Sequence, residues 1–107
     1  MTGEKGRASE PAADAETFLA ETDTIAALRP DLSLLEAGLL AGLHLGLAAD
    51  SRSFARIFGV EHALVLRAVE GLTGATLLTV TARDGRTQRT RYAASAAGSA
   101  MLTALAA

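Results

Sequence analysis

The chain has 107 residues and a formal net charge of −2, and half of its residues are apolar. That length indicates a single domain with a core of its own, and the apolar fraction excludes disorder for most of the chain. The absence of cysteine excludes disulfides, thiolate catalysis and a thiol-based oxidant sensor.

Charge is divided unevenly along the sequence. Residues 1–50 hold nine acidic and three basic side chains, residues 51–92 hold seven arginines and three acidic side chains, and residues 93–107 hold no charge. A basic half beside an acidic half is typical of a protein that presents one face to nucleic acid. The alternative is a solvated charge pattern without a partner.

The N-terminal part predicts a tail followed by a helix. Residues 1–12 are polar and aperiodic, which predicts a disordered tail before a single domain over 13–107. Apolar side chains at helical spacing predict a helix from about Asp14 to Leu28. Pro30 ends it, because the residue before a proline avoids the helical region.

A second, leucine-rich helix follows. Ser33 and Glu36 have the spacing of a capping box at its start. Gly38, Gly42 and Gly46 fall on one face, which predicts close packing of another helix there. Gly46 alternatively ends the helix. His44 on the same helix is interpreted as a structural histidine.

Two short helices are predicted next. Asp50 or Ser51 caps a helix over 51–58 that closes at Gly59, and a further helix covers 61–73. The inward stripe of that last helix is predicted to hold Val65, Ala68, Val69 and Leu72.

The remainder predicts a hairpin and a final helix. The segment "ATLLTVTA" is rich in β-branched residues and predicts a strand, and "TQRTRYA" predicts the returning strand, which Tyr92 packs onto the helices with its hydroxyl at the edge. Between them, Asp84 and Gly85 predict a tight turn. The alanine-rich stretch 94–106 predicts a helix. The expected class is therefore mainly α with a small β-hairpin (α+β).

The segments "FARIFGVEHALVLRAVEGL" and "TVTARDGRTQRTRYAASAAGSAML" resemble the winged-helix domain of MarR-type bacterial transcription regulators over about residues 32–104. Ala55 is the small residue where two helices cross, Gly59 lies at the turn, and Val65 is the inward residue of the second helix. The resemblance implies a winged helix-turn-helix with flanking N- and C-terminal helices: the helix-turn-helix over 51–73, the wing over 75–93 and the last helix over 94–106.

In that family the second helix enters the major groove, and an arginine at the wing tip enters the minor groove. The resemblance implies double-stranded DNA as the partner of a cytoplasmic transcription regulator, with no cofactor and no membrane partner. The candidate DNA-binding residues are Glu61, His62, Ala63, Leu66 and Arg67 on the helix, Arg83 and Arg86 at the wing tip, and Arg52, Arg89 and Arg91 as phosphate contacts.

Two leucines occupy positions where that family has polar side chains. Leu64 lies one helical turn from Ala68, so we expect it to flank the core. Leu66 is expected to face outward, where it would contact a thymine methyl group or mark a protein-binding patch. The alternative function is therefore a winged-helix interaction module that binds another regulator or a polymerase subunit through Leu64 and Leu66.

Helical sequence beyond the wing is short for this family. We therefore expect a homodimer whose interface is reduced, or rebuilt from residues 14–29 and 94–106. No serine–histidine–acid set, phosphate-cradling loop, paired carboxylates or metal-ligand set points to catalysis, so an enzyme is not expected. No positively charged, apolar leader opens the sequence, which favours a cytoplasmic protein.

Overall fold

The computed structural model describes the backbone of residues 2–106 and the side chains of residues 15–105. Within that backbone, five helices and one antiparallel hairpin confirm the mainly α class with a small β component. The elements are α1 (Thr2–Leu28), α2 (Leu34–His44), α3 (Ser51–Phe58), α4 (His62–Gly74), β1 (Leu78–Arg83), β2 (Thr90–Ala94) and α5 (Ala96–Ala106).

Helix α1 is longer than the sequence predicts. It ends at Leu28, two residues before Pro30 as expected, but it begins at Thr2, within the stretch 1–12 predicted as a disordered tail. More than half of residues 2–12 are alanine, glutamate, lysine or arginine, which are good helix formers. Extending a helix that is already formed costs less than nucleating a new one, and this extension takes place although Gly3, Gly6 and Pro11 oppose it.

Helix α2 begins and ends at the predicted signals. Ser33 Oγ accepts the Glu36 backbone N–H at 3.1 Å, and Glu36 Oε1 accepts the Ser33 N–H at 2.8 Å, so the capping box is confirmed. Gly46 has a φ of 74°, and this left-handed residue ends the helix. Gly38 and Gly42 instead form a packing face, since a Cβ on either would lie 3.4 Å from a phenylalanine ring.

Helices α3 and α4 are joined by a short turn. Gly59, with a φ of 66°, ends α3 in the left-handed conformation that favours glycine. The predicted inward stripe of α4 is buried in full: Val65, Ala68, Val69 and Leu72.

The hairpin has a longer loop than the sequence predicts. Asp84 and Gly85 do not form a two-residue turn; residues 84–89 separate the strands. Asp84 Oδ1 accepts the Arg86 N–H at 2.8 Å, and its carbonyl oxygen accepts the Gln88 N–H at 2.8 Å. Gln88, at a φ of 63°, is the left-handed residue of this loop. The aspartate thus organises a wide loop in place of a tight turn.

One core joins all of these elements. Its largest buried side chains come from every helix except α5 and include Ile25, Leu39, Leu40, Phe54, Val65 and Leu72. Leu102 anchors α5 to the same core, and His44 at the end of α2 donates a hydrogen bond to Glu21 of α1. Within the described residues, no helix combines the length and apolar character needed to cross a membrane.

We expect Gly98→Ala to destabilise the protein by about 1–3 kcal/mol, because it overpacks a fixed site. A Cβ on Gly98 would overlap the carbonyl oxygen of Leu77, a backbone atom that accepts the Ser95 N–H. Gly74→Ala is the matched control, since a Cβ there meets open space. Urea unfolding should show that Gly74→Ala is at least as stable as the wild type. Equal stability of the two variants would contradict this account of α5 packing.

Candidate nucleic-acid interface

The Asp50 carboxylate joins α3 to the hairpin. Oδ1 accepts the Ser53 backbone N–H at 2.9 Å, which caps α3 as predicted. The same oxygen accepts Arg89 Nη1 at 2.7 Å, and Oδ2 accepts the Ser53 hydroxyl at 2.8 Å. Burial alone would raise the pKa of Asp50, but the hydrogen bonds from Ser53 and the positive charges of Arg89 and Arg91 outweigh it and lower that pKa.

The backbone next to Asp50 also pairs with β2. Asp50 forms an isolated antiparallel bridge with Arg91, and the Tyr92 N–H donates to the Ala49 carbonyl at 3.1 Å. The segment before α3 therefore lies alongside the hairpin as a short extension of its sheet.

Ser51 connects three elements through one hydroxyl. Its Oγ accepts the buried Thr90 N–H at 2.9 Å and lies 2.8 Å from His62 Nε2. Burial, together with the charges of Arg52 and Arg89, lowers the pKa of His62. The ring is therefore neutral at pH 7, so its Nε2 is able to accept the Ser51 hydroxyl hydrogen. We call Asp50, Ser51, His62, Arg89 and Thr90 together the α3 junction.

Arg52 holds the hairpin loop. Its Nη2 and Nε donate to the Thr87 carbonyl oxygen at 2.6 and 3.0 Å. The contact closes the loop onto the first turn of α3. Arg52, Arg89 and His62, three of the predicted DNA-binding residues, thus lie together and bond to protein groups.

Four other predicted arginines point away from the protein. They are exposed, and none of their guanidinium groups has a hydrogen bond or ion pair to a side chain within the described range 15–105: Arg67 on α4, Arg83 at the end of β1, Arg86 in the loop and Arg91 on β2. Glu61 and Ala63 are exposed at the start of α4, where Glu61 is the N-cap residue but its side chain makes no capping bond.

The orientations predicted for the two leucines of α4 are wrong. Leu64, predicted to flank the core, is 44% exposed, whereas Leu66, predicted to face outward, is half-buried. Each lies about 100° from the buried Val65, on opposite sides of the helix, so helical position alone does not show which of the two is more buried. About 160° separates the two side chains around the axis, so a single patch of α4 does not contain both.

Several groups in the α3 junction and beside it were not recognisable as site residues in the sequence. Asp50 and Ser51 carried only a capping signal, and Thr87 and Thr90 carried none. The prediction for Tyr92 is half right: it packs the strand onto the helices, but its hydroxyl is buried with no partner among the described groups instead of lying at an edge. Burial, reinforced by the charge of Asp50, raises the pKa of Tyr92.

No protein-family model matches the sequence, and no curated protein is significantly similar to it.

We expect Asp50→Ala to lower the free energy of unfolding by about 2–3 kcal/mol, because it removes a helix cap and a charge-assisted hydrogen bond. Asp50→Asn should cost less, since asparagine is an equally good cap. The folded pKa of Asp50 lies below its ordinary value of 3.8. Its charge therefore stabilises the fold above about pH 4, and this contribution is lost as the pH falls through the folded pKa. Urea unfolding at pH 7 and pH 3 should show the gap between wild type and Asp50→Asn shrinking at acid pH; a constant gap would contradict the assignment.

The lowered pKa of His62 predicts a second dependence of stability on pH. Below its ordinary pKa of 6.5, the unfolded chain takes up a proton that the folded chain resists, so stability falls as the pH drops from about 6.5 towards the lower folded pKa. His62→Gln removes this group. The urea midpoint of the wild type should therefore fall more between pH 7.5 and 5.5 than that of His62→Gln. An identical decrease in both proteins would show that His62 titrates as it does in the unfolded chain.

Proposed function

We propose that the chain is a winged-helix protein of the bacterial cytoplasm that binds double-stranded DNA and regulates transcription. The proposal assigns α3 and α4 to the helix-turn-helix, α4 to the major groove, and the β1–β2 hairpin to the wing. Support comes from the element order, in which two helices joined at Gly59 are followed by a hairpin and a last helix.

The observation that carries the proposal is the fixed placement of the hairpin loop beside α3. Arg52 donates to Thr87, and Arg89 donates to Asp50, so the C-terminal half of the loop is held against the start of α3. Arg83, the last residue of β1, and Arg86, within the loop, flank Asp84 and are exposed. Two unpaired arginines on an anchored projection form a suitable contact for phosphates and for the minor groove.

The proposed binding mode relies little on base hydrogen bonds. On α4, His62 is already bonded to Ser51, which leaves Arg67 as the strong donor among the predicted groove-facing residues. Glu61 adds a negative charge that phosphates repel. We therefore propose binding driven by phosphate and minor-groove contacts, with modest sequence specificity.

A homodimer is part of the proposal. One wing and a donor-poor helix give low affinity, which two copies at spaced half-sites increase. Residues 14–29 and 94–106 are the proposed interface. Leu105 of α5 lies in a shallow cleft with Thr17 and Thr24 of α1, and α5 leaves Ala97, Ala100 and Ala104 exposed.

Protein binding is the second candidate function. The exposure of Leu64 (44%) and of Ile57 on α3 (51%) favours it. The half-burial of Leu66 does not, because the proposed patch loses one of its two residues. In this case another regulator or a polymerase subunit is the partner.

Replacement of both Arg83 and Arg86 by alanine should weaken binding to random-sequence duplex DNA by about tenfold or more at moderate salt. It should also reduce the slope of log K against log [salt] by about 2, one for each lost phosphate contact. Fluorescence anisotropy of labelled duplex over a salt series measures both quantities. Each substitution lies on the exposed hairpin, so the fold should be retained.

Arg29→Ala is the charge control for this experiment. Arg29 pairs with Asp31 after α1, far along the sequence from the hairpin. Its removal should change DNA affinity much less than the hairpin variant does. No binding by the wild type at low salt would refute the DNA-binding proposal. Leu64→Ser would then be the variant with which to test a protein partner.

A further inference from the structure

A groove of about 460 Å³ lies between α1, α2 and the C-terminal end of α3. This volume is within the range of about 300–1,000 Å³ typical of sites for small ligands. The groove is built by different residues from those of the proposed DNA face, so an inference from it does not depend on DNA binding.

The walls of the groove are apolar and aromatic. All three phenylalanines of the chain line it: the Phe18 and Phe58 ring centroids lie 4.4 Å apart, as do those of Phe54 and Phe58. At the rim, Leu19 and Leu34 are 59% and 67% exposed. Leucine side chains exposed beside an aromatic surface gain free energy when an apolar body covers them.

Two polar side chains, Thr22 and Asp23, line the same groove. The Thr22 hydroxyl is already satisfied, since it donates to the Phe18 carbonyl at 2.7 Å. Asp23 is exposed and has no hydrogen bond or ion pair to any side chain in the described part of the chain. The lining includes no basic residue, so the groove combines an apolar surface with one free negative charge.

We infer that this groove binds a small amphiphilic amine, with an apolar or aromatic body against the phenylalanine rings and a protonated nitrogen at Asp23. A cation gains from the carboxylate and from the faces of nearby aromatic rings. An anion of the same shape is repelled by Asp23. A neutral molecule gains only the apolar contact.

The charge around the groove favours a small cation over a second copy of the chain. Asp23 is the one acidic residue in the groove lining, since Glu16 lies outside it and Glu21 pairs with His44. A second copy that docked its own Asp23 here would bring two carboxylates together, at an energetic cost. A protonated amine instead neutralises the charge at Asp23.

Three probes that share one apolar group but differ in charge test the inference. The probes are 4-phenylbutylamine, 4-phenylbutan-1-ol and 4-phenylbutyrate, titrated calorimetrically into the full chain at pH 7. The amine should bind about two- to fivefold more tightly than the alcohol, the gain expected of an exposed ion pair. The carboxylate should bind most weakly.

Two exposed groove residues provide the variants. Asp23→Asn should remove the advantage of the amine and leave the affinity of the alcohol unchanged, whereas Leu34→Gln should weaken both. Glu70→Gln is the matched control, because Glu70 is an exposed acid on α4 outside the groove lining and should leave all three affinities unchanged.

Three results would overturn the inference: equal binding of the amine and the alcohol, no binding of any probe at millimolar concentration, or an amine preference that survives Asp23→Asn. Sedimentation equilibrium of the wild type and Leu34→Gln tests whether a second copy of the chain occupies the groove. Self-association that Leu34→Gln abolishes, without amine binding, would assign the groove to a second copy and reject the amine.

Discussion

The Asp50 carboxylate is the interaction on which the basic half of the fold depends. It accepts hydrogen bonds from the α3 backbone, from Ser53 Oγ and from Arg89 of the hairpin. Helix α3 has eight residues, too few to be stable alone, and an isolated two-stranded hairpin is marginal at best in water. Each element is therefore ordered by the other, and a buried carboxylate shared between them couples their stability.

That coupling gives the arginines two different roles. Arg52 and Arg89 direct their guanidinium groups at Thr87 and Asp50, and so fix the loop. Arg86 within this loop and Arg83 at the strand end before it are exposed. A preorganised loop loses less conformational entropy when it binds a ligand than a flexible loop does. Arg52 and Arg89 thus favour ligand binding by Arg83 and Arg86, although their own guanidinium groups bond to groups of the protein.

The sequence predicted what neighbouring residues determine and missed what distant ones determine. The Ser33 capping box, the Asp50 cap and the Gly59 turn each depend on groups within a few residues, and all are confirmed. The placement of the hairpin loop against α3 depends on Arg52, which is 35 residues from Thr87. Which of Leu64 and Leu66 is more exposed likewise depends on what packs against each side of α4, because their angles from the buried stripe of the helix are nearly equal.

Helix α3 links the two surfaces to which we assign binding. Its start holds the α3 junction, and Phe54 and Phe58, one helical turn apart, line the apolar groove. Eight residues rise only about 12 Å. Hydrogen bonds hold the start of the helix, Phe54 packs against Gly42 near its middle, and Phe58 packs against Phe18 at its end. The cap that holds the hairpin loop and the rings that line the groove therefore belong to one short helix.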